Sequence, residues 1–428
     1  TVQRDHAVAN EAGRIVSVVP SAEAEAASPQ PESVTLPGHV LLPGFINAHT
    51  HAPMSLLRGL ADDLELSVWL KEHIWPAESR HVGPRFVNEG TLLAIAEMLR
   101  SGTTCFNDMY FFPDAAIDVC RQAGMRASIG ITVIEIESAW ASDVGNYIDK
   151  GMRLYDRWRE DPLISFTLSP HSPYTVSDDT LQRIAVLSAE QDFQVHIHLL
   201  ETEWEVKQSY QQHGIHPITR LEQQGLLNQR LQAVHMTQLS GDDIEKFARS
   251  GANVVHCPNS NLKLASGFCP VAALLDAGIN VAIGSDGAAS NNSLDMLAEA
   301  QAAALLAKGV SGDAKSVSAF QALEMLTING AVALGLEDSI GSIEPGKQAD
   351  LCALDLRQPE TQPLHHVVSQ VMYAASSRQV SDVWVAGQRL LKSGELTTIN
   401  MDEVLDAASR WQQRLADPET GAADVQRK

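Results

Sequence analysis

Histidines occur in two closely spaced pairs in this chain, and each pair could bind a metal ion. His49 and His51 are two positions apart, and so are His196 and His198. Side chains at positions i and i+2 of a strand point to the same side, so both imidazoles of a pair can reach one ion. One pair alone is weak evidence, because two ordinary loop histidines would show the same spacing.

Three further ionisable residues extend this pattern. Glu201 follows His198 by three positions, whereas His235 and Asp286 each follow an apolar segment. Taken alone, Asp286 could simply cap the next helix. Taken together, three neutral imidazoles and one carboxylate suit Zn²⁺ with a coordination position left open for water.

The candidate ligands and their neighbour lie at the C-terminal ends of predicted strands: His49, His51, His198, His235 and Asp286. Short apolar segments alternate with helical patterns, and the eight predicted strands are Val40–Ile46, Thr103–Asn107, Ala127–Ile134, Ile164–Leu168, Gln194–Leu199, Gln232–His235, Asn253–His256 and Asn280–Ile283. Apolar strands separated by helices indicate a parallel sheet that is covered on both faces. Eight such units predict an α/β protein with a (β/α)₈ TIM barrel, whose active site lies at the C-terminal ends of the strands. An open doubly wound sheet is the alternative, but no Gly-rich phosphate loop follows any strand.

The two ends of the chain differ from this middle part. Further strands are predicted in Gly13–Val19, Ala349–Leu356 and Val380–Leu391, an exposed loop in Ser21–Ser33, and an amphipathic helix in Asp402–Leu415. We therefore predict a small β-sandwich domain that is formed from both chain termini. The predicted limits are residues 1–43 and 346–428 for the two parts of this β domain and 44–345 for the barrel.

Composition limits the partners of the protein. Among 428 residues, 31 basic and 53 acidic side chains give a formal charge of 31 − 53 = −22, which argues against nucleic acid or an anionic membrane as a partner. Five widely spaced cysteines without a CxxC pair predict neither a disulfide framework nor a thiolate zinc site, and favour a reducing cytoplasm. We find no signal pattern and no apolar run of membrane-spanning length. A small molecule is the expected partner, and a homo-oligomer is compatible with these data.

Three motifs carry a resemblance to a known family. Leu42–His51, His198–Glu201 and Ser285–Asn292 resemble the amidohydrolase superfamily, and more narrowly its 5-methylthioadenosine/S-adenosylhomocysteine deaminase branch. The resemblance covers nearly the whole chain. It implies that His49, His51, His198 and Asp286 bind the metal, that Glu201 and His235 are the catalytic acid/base pair beside Asp286, and that Trp69, Glu78, His171, Glu201 and Ser290 contact the substrate.

These residue types also fit the chemistry of adenine deamination. Bound Zn²⁺ lowers the pKa of its water to about 7. We expect Asp286 and His235 to orient that water and Glu201 to carry its proton to ring nitrogen N1. Binuclear relatives usually bridge two ions with a modified lysine at the end of the fourth barrel strand, but Ile164–Tyr174 contains no lysine, which predicts one Zn²⁺ per chain.

The substrate contacts have ordinary alternatives. Glu78 could accept hydrogen bonds from a ribose diol or be an exposed carboxylate at a helix start. His171 could be a loop histidine, and Trp69 could pack in the core. His196 and His256 lie on strands, where we expect satisfied core residues.

Three function classes remain open at this point. The first is a zinc-dependent deaminase of adenosine-type nucleosides, the second an amidohydrolase for another aminated ring such as a triazine or a different purine, and the third a non-catalytic barrel. Members of the branch that accept both thio-nucleosides have an arginine before the fourth barrel strand, where this chain has Tyr147. Tyr147 cannot pair with the carboxylate of S-adenosylhomocysteine, so we predict 5-methylthioadenosine as the better substrate. Lys150 or Arg153 could replace the missing charge.

Overall fold

The computed structural model describes residues 2–26 and 33–416. In chain order, its strands are β1 (His6–Glu11), β2 (Arg14–Pro20), β3 (His39–Pro43), β4 (Phe45–Thr50), β5 (Thr103–Asp108), β6 (Arg126–Val133), β7 (Ile164–Pro170), β8 (Gln194–Leu199), β9 (Leu231–His235), β10 (Asn253–His256), β11 (Val281–Ile283), β12 (Leu351–Asp355), β13 (Val380–Val385), β14 (Gln388–Lys392) and β15 (Glu395–Leu396).

The α-helices surround and connect these strands. They are α1 (Ser21–Ala26), α2 (Leu66–Val68), α3 (Trp75–His81), α4 (Pro84–Arg100), α5 (Pro113–Ala123), α6 (Val144–Trp158), α7 (Asp178–Gln191), α8 (Glu203–His213), α9 (Pro217–Gln223), α10 (Gly241–Ser250), α11 (Pro258–Lys263), α12 (Val271–Asp276), α13 (Ala288–Asn291), α14 (Met296–Ser311), α15 (Ala319–Leu326), α16 (Ile328–Leu334), α17 (Val367–Tyr373) and α18 (Met401–Ala416). Short 3₁₀ turns occupy Ala52–Leu57, Pro359–Thr361 and Ser377–Gln379, and a π-helical turn occupies Trp69–Ile74. None of the helices in the described ranges is both long and apolar enough to cross a membrane.

Strands β4 to β11 form one sheet of eight parallel strands in chain order, which confirms the predicted barrel. The sheet closes where the end of β11 meets β4. There the Asp286 N–H donates to the His49 carbonyl (3.0 Å). Gly284 makes this approach feasible, because a Cβ atom at that position would lie only 2.8 Å from the Cβ of His49. Two predicted metal ligands therefore lie at the seam of the barrel.

A second sheet is antiparallel and draws strands from both ends of the chain. Its order is β15-β14-β13-β12-β3, and the β1–β2 hairpin packs on it as a second layer. Ile15 of the hairpin lies in one buried cluster with Ala349 and Leu351, against the side chain of Trp384. The predicted small β-sandwich is thereby confirmed.

Two predicted elements differ from the structure near the N-terminus. The single predicted strand Val40–Ile46 is divided between β3 of the small sheet and β4 of the barrel at Gly44, where the backbone lies so close to Thr104 that a Cβ would be 2.0 Å from its Oγ1. The predicted loop Ser21–Ser33 begins instead with helix α1, because alanine and glutamate favour a helix. Residues 27–32 of that loop lie outside the described residues.

The C-terminal helix packs on the barrel rather than on the small sheet. Helix α18 spans Met401–Ala416, and its Trp411 donates a hydrogen bond to Glu89 Oε2 of α4 (2.5 Å) and packs edge-on against Phe86. The predicted limits between the domains stay a prediction, and residues 417–428 lie outside the described part of the chain.

Candidate active site

The four predicted metal ligands lie together at the C-terminal end of the barrel. His49 belongs to β4, His51 follows it, His198 belongs to β8, and Asp286 follows β11. One ligand atom from each lies within 4.8 Å of the others. The Nε2 atoms of His49 and His51 are 3.2 and 3.3 Å from Asp286 Oδ1, and the Nε2 atoms of His49 and His198 are 3.2 Å apart.

Outer hydrogen bonds turn the Nε2 atoms of two imidazoles toward this centre. His51 Nδ1 lies 2.6 Å from the carbonyl of Met109, and His198 Nδ1 lies 2.7 Å from the carbonyl of His171. A carbonyl only accepts, so each Nδ1 carries the proton and leaves a lone pair on Nε2. This is the tautomer that a metal ligand needs, and the donor set therefore fits a divalent ion such as Zn²⁺.

The third imidazole is supported by another histidine. His49 Nδ1 lies 2.9 Å from His196 Nε2, and His196 Nδ1 lies 3.2 Å from the side-chain amide of Asn107. His196 is thus a satisfied interior residue, as expected, but one that orients a predicted ligand. The expectation for His256 is wrong, since both of its buried ring nitrogens lack a hydrogen-bond partner among the described residues.

Burial keeps two of these imidazoles neutral. Desolvation lowers the pKa of His49 to about 4 and holds the pKa of His198 well below its usual value. Desolvation also acts on His51, but the adjacent Asp286 carboxylate outweighs it and raises the pKa of His51 to about 9. His49 and His198 are therefore already in the neutral form that binds a cation, whereas His51 must release a proton when a cation binds.

Asp286 is held firmly in place. Its backbone is left-handed (φ 59°), its Oδ1 accepts from the Gly287 N–H (2.8 Å), and its Oδ2 accepts from the hydroxyl groups of Ser260 (2.6 Å) and Ser290 (2.8 Å). Ser290, predicted as a substrate contact, therefore binds the carboxylate of a predicted ligand. Ser260 was not among the residues predicted from the sequence.

The predicted acid/base pair lies beside the four ligands. His235 Nε2 is 3.9 Å from Glu201 Oε2, and the His235 ring is nearly parallel to that of His198 at 5.5 Å. His235 Nδ1 lies 2.9 Å from Asn261 Oδ1, an acceptor that places the proton on Nδ1. Burial raises the pKa of Glu201. His235 also has a left-handed backbone (φ 76°), a strained conformation that is typical of functional sites.

Glu78 and Trp69, two of the predicted substrate contacts, have different hydrogen-bond partners. Glu78 Oε1 accepts from the hydroxyl of Tyr110 (2.6 Å), and burial raises the pKa of Glu78. The Tyr110 ring is 6.4 Å from that of His51, so this unpredicted tyrosine links Glu78 to the ligand group. Trp69 is buried and its indole N–H donates to the Ala61 carbonyl (3.1 Å).

His171 lies next to a predicted ligand. Its ring centroid is 4.9 Å from that of His198, and its Nδ1 is 3.1 and 3.2 Å from the hydroxyl oxygens of Ser172 and Thr175. Desolvation lowers the pKa of His171 to about 3, so the ring is neutral near pH 7.

Aromatic side chains extend from Tyr110 toward Tyr147. Tyr110 packs on Phe111, Phe111 on Tyr147, and Tyr147 on Trp140, with ring centroids 5.6, 6.5 and 5.5 Å apart. Tyr147 is fully buried and its hydroxyl donates to a backbone carbonyl. The Lys150 ammonium donates to the Trp140 carbonyl.

Comparison with known proteins gives concordant matches. The model of the amidohydrolase family matches residues 40–390. A 5-methylthioadenosine/S-adenosylhomocysteine deaminase of Teredinibacter turnerae is 52% identical over 402 residues, which are 94% of this chain and 91% of that protein. A protein of the same name from Saccharophagus degradans is 45% identical over 403 residues, which are 94% of this chain and 90% of that one.

Solved structures match over similar lengths. The crystal structure of an adenosine deaminase from Xanthomonas campestris with bound zinc has a TM-score of 0.96 and 51% identity, and the match covers 97% of this chain and 94% of that one. An atrazine chlorohydrolase from Arthrobacter aurescens has a TM-score of 0.88, with 95% of each chain covered. At 22% identity, the second match reflects the fold alone.

Proposed function

This chain belongs to the amidohydrolase family and is a metal-dependent hydrolytic deaminase, and we propose that it converts 5-methylthioadenosine to the inosine analogue and ammonia. The observation that carries the proposal is the position of Glu201 and His235, 3.9 Å apart and next to the convergent ligand atoms. A purely structural metal site needs neither an acid nor a base at that position.

We assign the metal site to His49, His51, His198 and Asp286, with one zinc ion per chain. The inward Nε2 atoms and the Asp286 carboxylate support this assignment. The ion, when bound, would supply a nucleophilic water near neutral pH.

The protein side chains would then move the protons. Burial raises the pKa of Glu201, which favours its taking up a proton and delivering it to N1 as C6 becomes tetrahedral. His235 presents its unprotonated Nε2 toward Glu201 and can accept a hydrogen bond at the reacting atoms. Asp286 accepts hydrogen bonds at both oxygens, so its orientation stays fixed while protons move.

A nucleoside is favoured over a bare ring. Glu78 offers a half-buried carboxylate that Tyr110 holds through one oxygen, which leaves the second oxygen to accept from a ribose diol. His171 lies beside His198 as a neutral ring that can donate or accept a hydrogen bond. A triazine or a free purine base has no diol for Glu78, and is the alternative substrate class.

The 5′ end of the nucleoside decides between the two thio-nucleosides. The aromatic series that leads to Tyr147 supports an apolar methylthio group there. The carboxylate of S-adenosylhomocysteine would need a cation, but the Lys150 ammonium already binds the Trp140 carbonyl and Arg153 is exposed. We therefore propose S-adenosylhomocysteine as a poor substrate and adenosine as a tolerated one.

The proposal also covers the cellular location of the protein and the class of its partners. All five cysteines are free and buried, which supports a cytoplasmic location. The formal charge of −22 supports a small-molecule partner rather than nucleic acid or a membrane surface, and leaves a homo-oligomer open.

Ammonia release tests the proposal directly. The zinc-loaded protein should be assayed with 5-methylthioadenosine, adenosine, S-adenosylhomocysteine, guanine and an aminated triazine. We expect the highest kcat/KM with 5-methylthioadenosine. A higher value with guanine or the triazine would contradict the nucleoside assignment.

A further inference from the structure

A second buried carboxylate lies behind Glu201. Glu205 is 2% exposed and its two oxygens accept from consecutive backbone amides, Oε1 from Leu200 N–H (2.9 Å) and Oε2 from Glu201 N–H (3.0 Å). Leu200 has a left-handed backbone (φ 53°), which leucine rarely adopts. One side chain thus fixes the strained turn that carries the catalytic glutamate.

This arrangement is not a simple helix cap. Thr202 and Glu205 have the spacing of a capping box, in which the second side chain bonds back to the N–H of the capping residue. Ser240 and Asp243 form such a box at the start of α10. At the start of α8, Thr202 accepts from the Glu205 N–H as a cap, but the Glu205 carboxylate reaches past Thr202 to the two preceding amides.

The carbonyl groups of the same turn also accept hydrogen bonds. Thr237 Oγ1 donates to the Glu201 carbonyl (2.7 Å), and the Thr237 N–H donates to the Leu200 carbonyl (3.0 Å). Thr237 follows His235 by two residues, so this contact ties the turn after β8 to the turn after β9. The two residues of the acid/base pair are therefore fixed relative to one another.

Burial makes this position unfavourable for an ionised carboxylate. Desolvation raises the pKa of Glu205 to about 8, although the two amide hydrogen bonds act in the opposite direction. An amide side chain would fill the same volume without this penalty, but it could accept from only one of the two N–H groups.

From these contacts we infer that Glu205 is a positioning residue that sets the catalytic geometry of Glu201 by holding the Leu200 and Glu201 amides, with Thr237 as its counterpart on the carbonyl side. The inference rests on the proposed role of Glu201 in deamination. It predicts that Glu205 acts on turnover and not on substrate or metal binding.

The primary test is Glu205→Gln, assayed with 5-methylthioadenosine at pH 9, above the pKa of the Glu205 carboxyl. We expect kcat to fall by roughly 10- to 100-fold, because a shift of the reacting group by about 1 Å can cost 10²-fold. KM should stay within about 3-fold of the parent value. The content of bound metal should stay within about 20% of that of the parent. Hydrogen–deuterium exchange of the peptide covering Leu199–Thr202 should become faster, a readout that does not depend on activity.

Glu203→Gln is the matched control. Glu203 lies in the same helical turn, but its carboxylate is exposed and pairs only with Lys207 (2.7 Å) in the described structure. We expect parent values of kcat and exchange for this variant. A kcat of Glu205→Gln within 3-fold of this control, or a loss that follows metal content, would overturn the inference.

Thr237→Val keeps the inference testable if Glu205→Gln does not fold. It removes the hydroxyl that binds the Glu201 carbonyl, and we expect a 3- to 10-fold lower kcat with unchanged KM and metal content. An unchanged kcat would count against the inference. A parent protein that releases no ammonia would instead contradict the proposed function, while the exchange experiment would still report on the turn.

Discussion

Arg126 and Asp350 form a buried ion pair between the barrel and the small β domain. Arg126 begins β6 and donates from Nε to Asp350 Oδ2 (2.6 Å) and from Nη2 to Oδ1 (3.1 Å), and Asp350 Oδ1 also accepts from the Ala386 N–H (2.7 Å). Both side chains are less than one-tenth exposed. The two parts of the molecule are therefore joined by charge as well as by apolar contact.

Removing the charge of Asp350 should destabilise the protein. Asp350→Asn leaves the Arg126 guanidinium buried without its counter-charge, and we expect the free energy of unfolding to fall by about 3–5 kcal/mol. Urea unfolding measures this change. Glu245→Gln is the control, because its exposed pair with Arg249 should contribute less than about 0.5 kcal/mol. Equal stability of the two variants would mean that the buried pair is replaceable by neutral hydrogen bonds.

Replacement of the proposed acid/base group should abolish most turnover without loss of metal. Glu201→Gln has the same shape but cannot carry a proton, so we expect kcat to fall by roughly 10²- to 10⁴-fold. Metal analysis of the same sample should match the parent. Turnover within a few-fold of the parent would remove Glu201 from the mechanism.

His235→Asn should behave in a similar way. Because His235 lies outside the four proposed ligands, metal content should be retained, while kcat should fall by about 10²-fold or more. His365→Asn is an exposed control and should keep parent activity. Loss of the metal in His235→Asn would show that His235 belongs to the ligand set.

Metal removal should abolish activity, and one equivalent should restore it. Within the described residues, one group of side chains meets the geometric requirement for an ion, and Ile164–Tyr174 contains no lysine for a bridge. Titration of the chelated protein with Zn²⁺ should therefore reach full activity at one ion per chain. A requirement for a second equivalent would contradict a mononuclear site.

The two thio-nucleosides should differ clearly in kcat/KM. A missing charge-assisted hydrogen bond to the carboxylate of S-adenosylhomocysteine is worth about 1.5–3 kcal/mol, or roughly 10- to 150-fold. We expect that factor in favour of 5-methylthioadenosine under identical buffer and salt. Arg153→Ala should leave both values unchanged. A selective loss with S-adenosylhomocysteine would show that Arg153 binds the longer tail.

The barrel was predictable because its strands have a strong local signature. Val195–Leu199 and Val254–His256 are short and rich in β-branched residues, and each is followed by turn residues that precede a helix. The prediction of a single strand over Val40–Ile46 is wrong, and the turn-forming dipeptide Pro43–Gly44 was the local signal for its division. What divides β3 from β4 is the close approach of Gly44 to Thr104, a contact between residues far apart in the sequence.

For the candidate site, too, contacts between residues far apart in the sequence could not be predicted. The residues that converge at the strand ends could be found because the fold places all such ends on one face of the barrel. Their supporting partners could not, because the pairing of His196 with His49 or of Asn261 with His235 depends on which strands meet across the interior. For Glu205 a local signal existed, but the capping-box spacing predicts the wrong hydrogen bond.

The edge position of β3 has a consequence for the order in which the molecule is completed during synthesis. Among the strands of residues 2–26 and 33–416, β3 pairs with β12 alone, and Pro43 lies opposite Leu351, 351 − 43 = 308 residues later. At about 5–20 residues per second, the ribosome needs roughly 15–60 s to produce that partner strand. Throughout this interval β3 has no partner strand, while the barrel strands emerge from the ribosome and associate. The small sheet can therefore be completed only after all the barrel strands have been made, and pulse proteolysis of stalled nascent chains should find β3 protected only after residue 355 has left the exit tunnel.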